Sequence, residues 1–398
     1  DLTLMEDENI LSAGCRLPVS YKGSPIPRDK PFTATARLRG EDLWLLSGLF
    51  PAVPRMIGEL KAEVAATGTL DQPQFTGRVA VADTNVELPG LESNLHGLTG
   101  EIRLESGRRV VFQDMTAMLS AAPVDTTLLP QFRHKALKLS GDVVLTDEGL
   151  RHPLANLFDL LLEMDSLELK LKDTSPLTEV KSRVTLKTRE SDGRAVIAVE
   201  DFTGVGNKRS GPLRAHGTVV LAPNAFGSLE DFNRSEVALS VSAKNLTLNR
   251  APYGTFTFDT DLQFAGDPLH DGMPVLRGGV LVHDTRLSAP KLKPSTEAPG
   301  PLPSFPFVDI YVTVGDRVEV VHPALRASLE GGIQISGSPA DILVSGGLTS
   351  DKGVLQLPRA KAQLRRAEVD IFVRSDPVIP QQLVTRVWVD ADASAEVD

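Results

Sequence analysis

Cysteine, aromatic residues and long hydrophobic runs are all scarce in this chain. A single cysteine, Cys15, stands among 398 residues, which excludes an intramolecular disulfide and a metal site built from several cysteines. No apolar run reaches the roughly 18 residues that a membrane-spanning helix needs, so the sequence contains no such helix. The basic residues are scattered and outnumbered, with 42 against 52 acidic residues, and we therefore expect no nucleic-acid partner.

The dominant pattern in the sequence is a strict alternation of apolar and polar residues. Typical runs are Leu167-Leu169-Leu171 and Val237-Leu239-Val241, each bounded by Gly, Asp, Asn, Ser or Pro. An apolar side chain at every second position is the period of a β-strand with one buried face. Roughly two dozen such runs predict an all-β chain of short strands joined by turns.

Helices are predicted at only two places. A leucine-rich segment over 42–57 is interrupted by prolines, and 153–164 begins with a proline and places leucines on one helical face. Residues 290–306 contain six prolines, which predicts an extended loop or linker. The predicted organisation is therefore a β-segment over 1–289, this loop, and a second β-segment over 307–398.

Three segments share a repeating frame that begins at Gly77, Gly278 and Gly346. In each copy a Pro follows the first Gly by twelve residues, and a turn precedes the frame. We interpret the unit as strand, turn, strand, turn and strand, repeated at irregular spacing.

Because of the alternation, one face of the sheet is apolar and must be shielded from water. A sandwich, a closed barrel and a long sheet curled on itself each satisfy this requirement. Aromatic residues make up only 5% of the chain, which suits a smooth aliphatic wall better than a wide packed core. We therefore predict an elongated, curled β-sheet, a U-shaped trough with a hydrophobic interior. The alternatives are a structural or adhesive β-sandwich without a groove, and an ordinary dry core on the same residues.

Catalytic motifs are absent from the sequence. The seven histidines are spread widely, without an HExxH motif or a histidine–cysteine cluster, and we expect no metal site and no cofactor. His270-Asp271 and His283-Asp284 are adjacent pairs, which we interpret as turn and surface residues. No G-x-S-x-G motif is present. We expect a protein that is not an enzyme; a β-helical hydrolase is the least favoured alternative, because two Trp and three Tyr offer few stacking platforms.

Two stretches resemble the TamB/AsmA-like family of bacterial envelope proteins, which are relatives of the bridge-like lipid-transfer proteins. The first is GELKAEVAATGTL at 58–70, which follows a leucine-rich lead-in and continues to Leu88-Pro89. The second is VDIYVTVGDRV at 308–318, which continues to Asp376-Pro377. Residues 110–260 share only the general character of the family.

The resemblance implies a tapered β-trough in the periplasm, anchored in the inner membrane by a segment that is missing here. It implies a lipid conduit that shields phospholipid acyl chains between the inner and outer membranes and supports outer-membrane biogenesis. Phospholipids and a BamA-like outer-membrane protein are the implied partners. The chain is then expected to be an internal or near-C-terminal piece of a larger protein.

The candidate groove-lining residues are the apolar members of the clearest alternating runs. Toward the N-terminal end and then toward the C-terminal end of the chain they are Val79, Val81, Val86, Leu88, Ile102 and Leu104, and Val308, Ile310, Val312, Val314, Ile333, Ile335, Ile342, Val344, Val369, Ile371 and Val373.

Overall fold

The computed structural model is described over most of the chain. The described residues are 2–6, 9–19, 28–42, 55–87, 94–105, 108–120, 137–149, 151–169, 176–206, 211–223, 225, 234–250, 253–266, 273–288, 307–338, 341–357, 360–375 and 383–396.

Within these residues the protein is built almost entirely of β-strands. One short 3-10 helix, Pro153–Ala155, interrupts them. The strands in chain order are β1 (Leu2–Glu6), β2 (Asn9–Arg16), β3 (Pro31–Asp42), β4 (Met56–Thr69), β5 (Pro73–Val86), β6 (Asn94–Glu105), β7 (Arg109–Ser120), β8 (Leu137–Val144), β9 (Leu157–Leu169), β10 (Leu177–Thr188), β11 (Ala195–Val205), β12 (Pro212–Val220), β13 (Glu236–Arg250), β14 (Gly254–Gly266), β15 (Pro274–Ser288), β16 (Phe307–His322), β17 (Leu325–Ser338), β18 (Asp341–Ser350), β19 (Gly353–Leu357), β20 (Ala360–Ser375) and β21 (Leu383–Glu396). The predicted all-β fold class is confirmed.

Strands that follow one another in the chain pair as antiparallel neighbours, from β1 to β9 and from β12 to β15. The β15–β16 pair is parallel, so Ser288 and Phe307 lie at opposite ends of its ladder. Beyond it the antiparallel pattern resumes, and β18 and β19 both lie between β17 and β20. The chain divides into two compact units, residues 1–172 with 178–200, and residues 173–177 with 201–398.

The helix predicted over 153–164 is wrong. Only Pro153–Ala155 is helical, and β9 begins at Leu157 and pairs with β8 as far as Met164. The leucine spacing is compatible with either structure, and the ladder to β8 decides for the strand. The Asn156 side chain caps the end of the 3-10 turn, because its Nδ2 donates a hydrogen bond to the Pro153 carbonyl oxygen at 2.9 Å.

The other predicted helix and the predicted linker fall mainly outside the described residues. Residues 43–54 of the 42–57 segment lie there, while Asp42 ends β3 and Met56 begins β4. The proline-rich segment 290–306 also lies outside the described residues. The division into units falls between residues 172 and 201, not at residue 290.

The described strands of each unit lie side by side in a sheet. Extensive contacts between elements join ladder neighbours, and the one other pair is β7 with β9, which flank β8. Side chains alternate between the two faces of a strand, so the apolar residues of each run share a face and the polar residues occupy the other.

Many strands bend at a recurrent local feature, a residue with positive φ followed by a buried residue. The ladder register shifts at five of these points, which marks them as β-bulges, for example between Val81 and Thr84 and between Val314 and Val318. We call the buried residues the crease; each is at most 7% exposed. The crease consists of Thr84, Met115, Leu167 and Val180 in the first unit, and of Leu246, Thr285 and Val318 in the second, and these follow Asp83, Asp114, Ser166, Glu179, Asn245, Asp284 and Arg317.

The predicted repeat corresponds partly to these bulges. In the copies that begin at Gly77 and Gly278 one strand runs through the frame as far as Val86 or Ser288, and the expected turn is the bulge at Asp83 or Asp284. The prolines that end these two frames lie outside the described residues. In the copy that begins at Gly346 the chain does break, between β18 and β19.

Candidate functional site

The apolar face of the second unit forms continuous rows across neighbouring strands. Cα register places Ile310 opposite Ile335, Ile335 opposite Val344, and Val344 opposite Val373. A parallel row continues in the other direction, where Val312 lies opposite Val280. Because the rows run across the strands, the apolar surface is continuous in the direction perpendicular to the strands.

We call the half-buried apolar residues of this face the wall, as distinct from the buried crease. In the second unit the wall consists of Leu239, Val241, Phe258, Leu262, Phe264, Leu276, Val280, Val282, Val308, Ile310, Val312, Val314, Ile333, Ile335, Ile342, Val344, Leu348, Val369, Ile371 and Val373.

The first unit carries an equivalent face. One row runs from Ala36 through Val64 and Gly77 to Leu104, and a second joins Val79 to Ile102. On β2 to β5 most of the side chains in the row are small, and there the face carries an open cavity of about 510 Å³. The cavity is lined by Ala13, Gly14, Cys15, Ala34, Thr35, Ala36, Val64, Ala66 and Phe75.

The structure places the predicted groove residues on these two faces. All eleven in the second unit are half-buried members of the wall. In the first unit, Val79, Ile102 and Leu104 are half-buried, whereas Val81 is 8% and Val86 is 6% exposed. Val81 packs with Leu60 and the crease residue Met115, and Val79 and Ile102 pack against that cluster.

Two qualifications of that set follow from the structure. Leu88 lies outside the described residues. Val86 lies beyond the bulge at Asp83, close to the crease residue Thr84, so it belongs to the tightly packed part of the face.

The opposite face of each unit is charged. Arg37 lies 3.5 Å from Glu63 across β3 and β4, and Arg277 lies 3.8 Å from Asp309 across β15 and β16. The pKa of Glu101 is lowered, chiefly because the Arg103 guanidinium donates a hydrogen bond to its carboxylate. These pairs are exposed, so they contribute little stability and keep this face in water.

Two groups of residues on the apolar face were not predicted from the sequence. The wall continues over β13 to β15, through Val241, Leu262 and Val280, and the same period-2 signal was available there. The crease was missed because its members differ in type, as Thr285 and Val318 show. Their shared signal is a polar residue at positive φ just before them, which composition does not reveal.

The described residues contain no cluster of three or more His, Cys, Asp or Glu side chains that could hold a metal ion. No helix in the described part is long and apolar enough to cross a membrane. The arrangement offers an extended aliphatic surface with one charged side, which suits a flexible apolar ligand.

Comparison with known proteins gives a family match for one part of the chain. Residues 203–380 match the family model of the TamB C-terminal domain, a range that includes β12 to β20. The second stretch from which the resemblance was drawn lies inside this range, and the first, near residues 58–89, lies outside it. Neither the curated proteins nor the solved structures compared with the chain gave a match.

Proposed function

We propose that the wall carries lipids, because residues 203–380 match the family model of the TamB C-terminal domain, which suggests a transport-related role at the cell envelope. In this proposal the chain is a segment of a periplasmic conduit that shields phospholipid acyl chains between the inner and outer membranes and so supports outer-membrane biogenesis. A BamA-like outer-membrane protein would receive it at one end, and a further segment would anchor it in the inner membrane. The chain acts as a surface and not as an enzyme.

The observation that carries the proposal is a contiguous apolar face whose side chains are only half-buried. Soluble proteins rarely leave large contiguous apolar patches uncovered unless the patch binds something. Here the rows through Ile310 and Val312 each cross several strands, and their side chains are half-buried along the whole row.

The energetics of acyl transfer favour such a wall. Each CH₂ group moved from water to an apolar surface gains about 0.8 kcal/mol, so a long chain gains on the order of 10 kcal/mol. Release into water is correspondingly slow. A row of similar aliphatic side chains lets the acyl chain move from strand to strand without meeting that cost at each step.

The decisive perturbation is a charge placed in the wall. Ile335→Glu puts a carboxylate between Ile310 and Val344, and we expect bound lipid to be lost because an acyl chain cannot solvate the charge. The matched control is Leu343→Glu, which makes the same kind of change on the opposite face, where Leu343 is 37% exposed and lies opposite Arg374.

Native mass spectrometry of the purified protein would measure co-purified phospholipid in the two variants. The single thiol, Cys15, is exposed and lines the 510 Å³ cavity, so an environment-sensitive fluorophore attached there reports lipid entry independently. Circular dichroism would establish that both variants stay folded.

Three outcomes separate the possible functions. Loss of lipid from the folded Ile335→Glu protein, with lipid retained by Leu343→Glu, supports the conduit. Unfolding of Ile335→Glu alone means that the wall is an ordinary core. A structural or adhesive role would be favoured by two results together. The wild-type protein would carry no bound lipid, and the fluorescence of the Cys15 probe would not change when vesicles of phosphatidylethanolamine and phosphatidylglycerol are added.

A further inference from the structure

A histidine lies between two carboxylates at the bulges of the second unit. His283 on β15 has Nε2 3.2 Å from Asp259 Oδ1 on β14, and Nδ1 3.1 Å from Asp284 Oδ2. The imidazole is largely buried, with 15% of the side chain exposed. Both ring nitrogens therefore face a negatively charged oxygen.

The same carboxylates hold the residues that form the bulges. The Asn245 backbone N–H, at the bulge of β13, donates to Asp259 Oδ1 at 2.6 Å. The Arg317 guanidinium, at the bulge of β16, makes two hydrogen bonds to Asp284, one of them from Nη2 to Oδ2 at 2.7 Å. Asn245, Asp284 and Arg317 all have positive φ. One hydrogen-bonded network thus joins three bulges on β13, β15 and β16.

The protonation state of His283 decides whether this network is satisfied. A protonated imidazole donates from both nitrogens and can serve Asp259 and Asp284 together. A neutral imidazole has one N–H, so one of its nitrogens must present a lone pair to a carboxylate oxygen. Loss of the proton therefore breaks one of the two contacts and leaves a repulsive one in its place.

The surrounding charges also favour the protonated form. The charged groups nearest the network are Lys244 on β13, Asp259 on β14, Asp284 on β15, and Asp316 and Arg317 on β16. Burial works against the charged imidazole, but hydrogen bonds and attraction from the two aspartates outweigh it, and the pKa of His283 is raised.

We propose that Asp259, His283, Asp284 and Arg317 form a proton-sensitive latch that fixes the three bulges when His283 is protonated and loosens them when it is neutral. Each bulge residue directly precedes the crease, so the latch controls the part of the sheet where the strands bend. A rise in pH through the His283 pKa would then loosen β13 to β16 without unfolding the unit. The latch is a property of this chain and does not depend on lipid.

Hydrogen exchange of the full chain at pH 6 and pH 8, corrected for the intrinsic pH dependence of amide exchange, tests the latch. In the wild type we expect protection near Asn245, Asp284 and Arg317 to fall roughly tenfold as pH rises, the factor associated with one charge-assisted hydrogen bond. His283→Gln should abolish this pH dependence. His216→Gln, an exposed histidine on β12 in the same unit, is the matched control and should retain it.

A direct titration keeps the test decisive if His283→Gln folds poorly. The ring protons of His283, assigned as the histidine signals that shift in Asp259→Asn, should titrate above the ordinary histidine value of about 6.5. Asp259→Asn keeps an oxygen for Asn245 but removes the charge, and should lower the midpoint. A His283 midpoint at or below 6.5, or equal pH dependence of exchange in the wild type and His283→Gln, would overturn the latch.

Discussion

Truncation of two leucines on one strand distinguishes the crease from the wall. Leu246 and Leu239 both lie on β13 and both belong to the apolar face, but Leu246 is 2% exposed and Leu239 is half-buried. We predict that Leu246→Ala destabilises the protein much more than Leu239→Ala, although the two substitutions remove the same atoms.

The difference follows from what fills the vacated space. Leu246→Ala removes three carbons from a closed site opposite Phe258, so it loses the transfer free energy and also leaves a cavity, about 2–5 kcal/mol in all. Leu239 lies opposite Phe264 and Gly217 on an open face. Water or lipid can enter its place, so only part of the transfer term is lost, about 1–2 kcal/mol.

Urea denaturation followed by circular dichroism measures both losses, and thermal melting gives a second reading. With about 2 cal/mol/K of unfolding entropy per residue, a loss of ~3 kcal/mol lowers Tm by roughly 4 °C if the chain unfolds as a whole, and by about twice that if one unit unfolds alone. Equal destabilisation by the two substitutions would refute the reasoning, because it would mean that the wall is as closed as the crease.

Two further predictions concern the backbone of the second unit. Gly278→Ala should cost about 2–3 kcal/mol, because Gly278 has φ +137° and a Cβ there would lie 2.0 Å from a carbonyl oxygen of β14, whereas Gly279→Ala, whose nearest neighbour is 3.9 Å away, should be within about 0.5 kcal/mol of the wild type. Thr285→Val should cost about 1–3 kcal/mol, because a buried hydroxyl loses hydrogen bonds of 2.8 and 2.9 Å to the backbone, while Thr255→Val, on an exposed position, should change little. Denaturant midpoints of the four variants check both, and a pair with equal midpoints would contradict its prediction.

The strands were predictable because alternation is a local property of the sequence. Val308, Ile310, Val312 and Val314 follow one another at period 2, and they do lie on one face of β16. The failure at 153–164 has the same origin, since a leucine-rich segment satisfies both periods. The ladder that decides for β9 is made with β8, which is a contact that no local window contains.

The crease could not be predicted in the same way. A bulge is defined by the register between two strands, and register is set by residues far apart in the sequence. Only the repeated Asp-Thr pairs, Asp83-Thr84 and Asp284-Thr285, leave a visible mark, and the alternation predicted a turn at both places. The buried threonine explains why the strand continues: its hydroxyl bonds to backbone oxygens on its own and the neighbouring strand, as Thr84 does with Ala82 and Glu59.

Alternation therefore encodes two kinds of apolar position that the sequence does not distinguish. At the crease, side chains such as Leu246 and Val318 are almost fully enclosed, and tight packing there stabilises the sheet. On the wall, side chains such as Ile335 remain half-buried. The unfavourable free energy of their exposed apolar area is removed only when a ligand covers that area. If the fold is held mainly by the crease, the wall can bind and release an apolar ligand without unfolding the sheet. Charge in the wall and truncation at the crease should therefore have separable effects, the first on lipid and the second on stability.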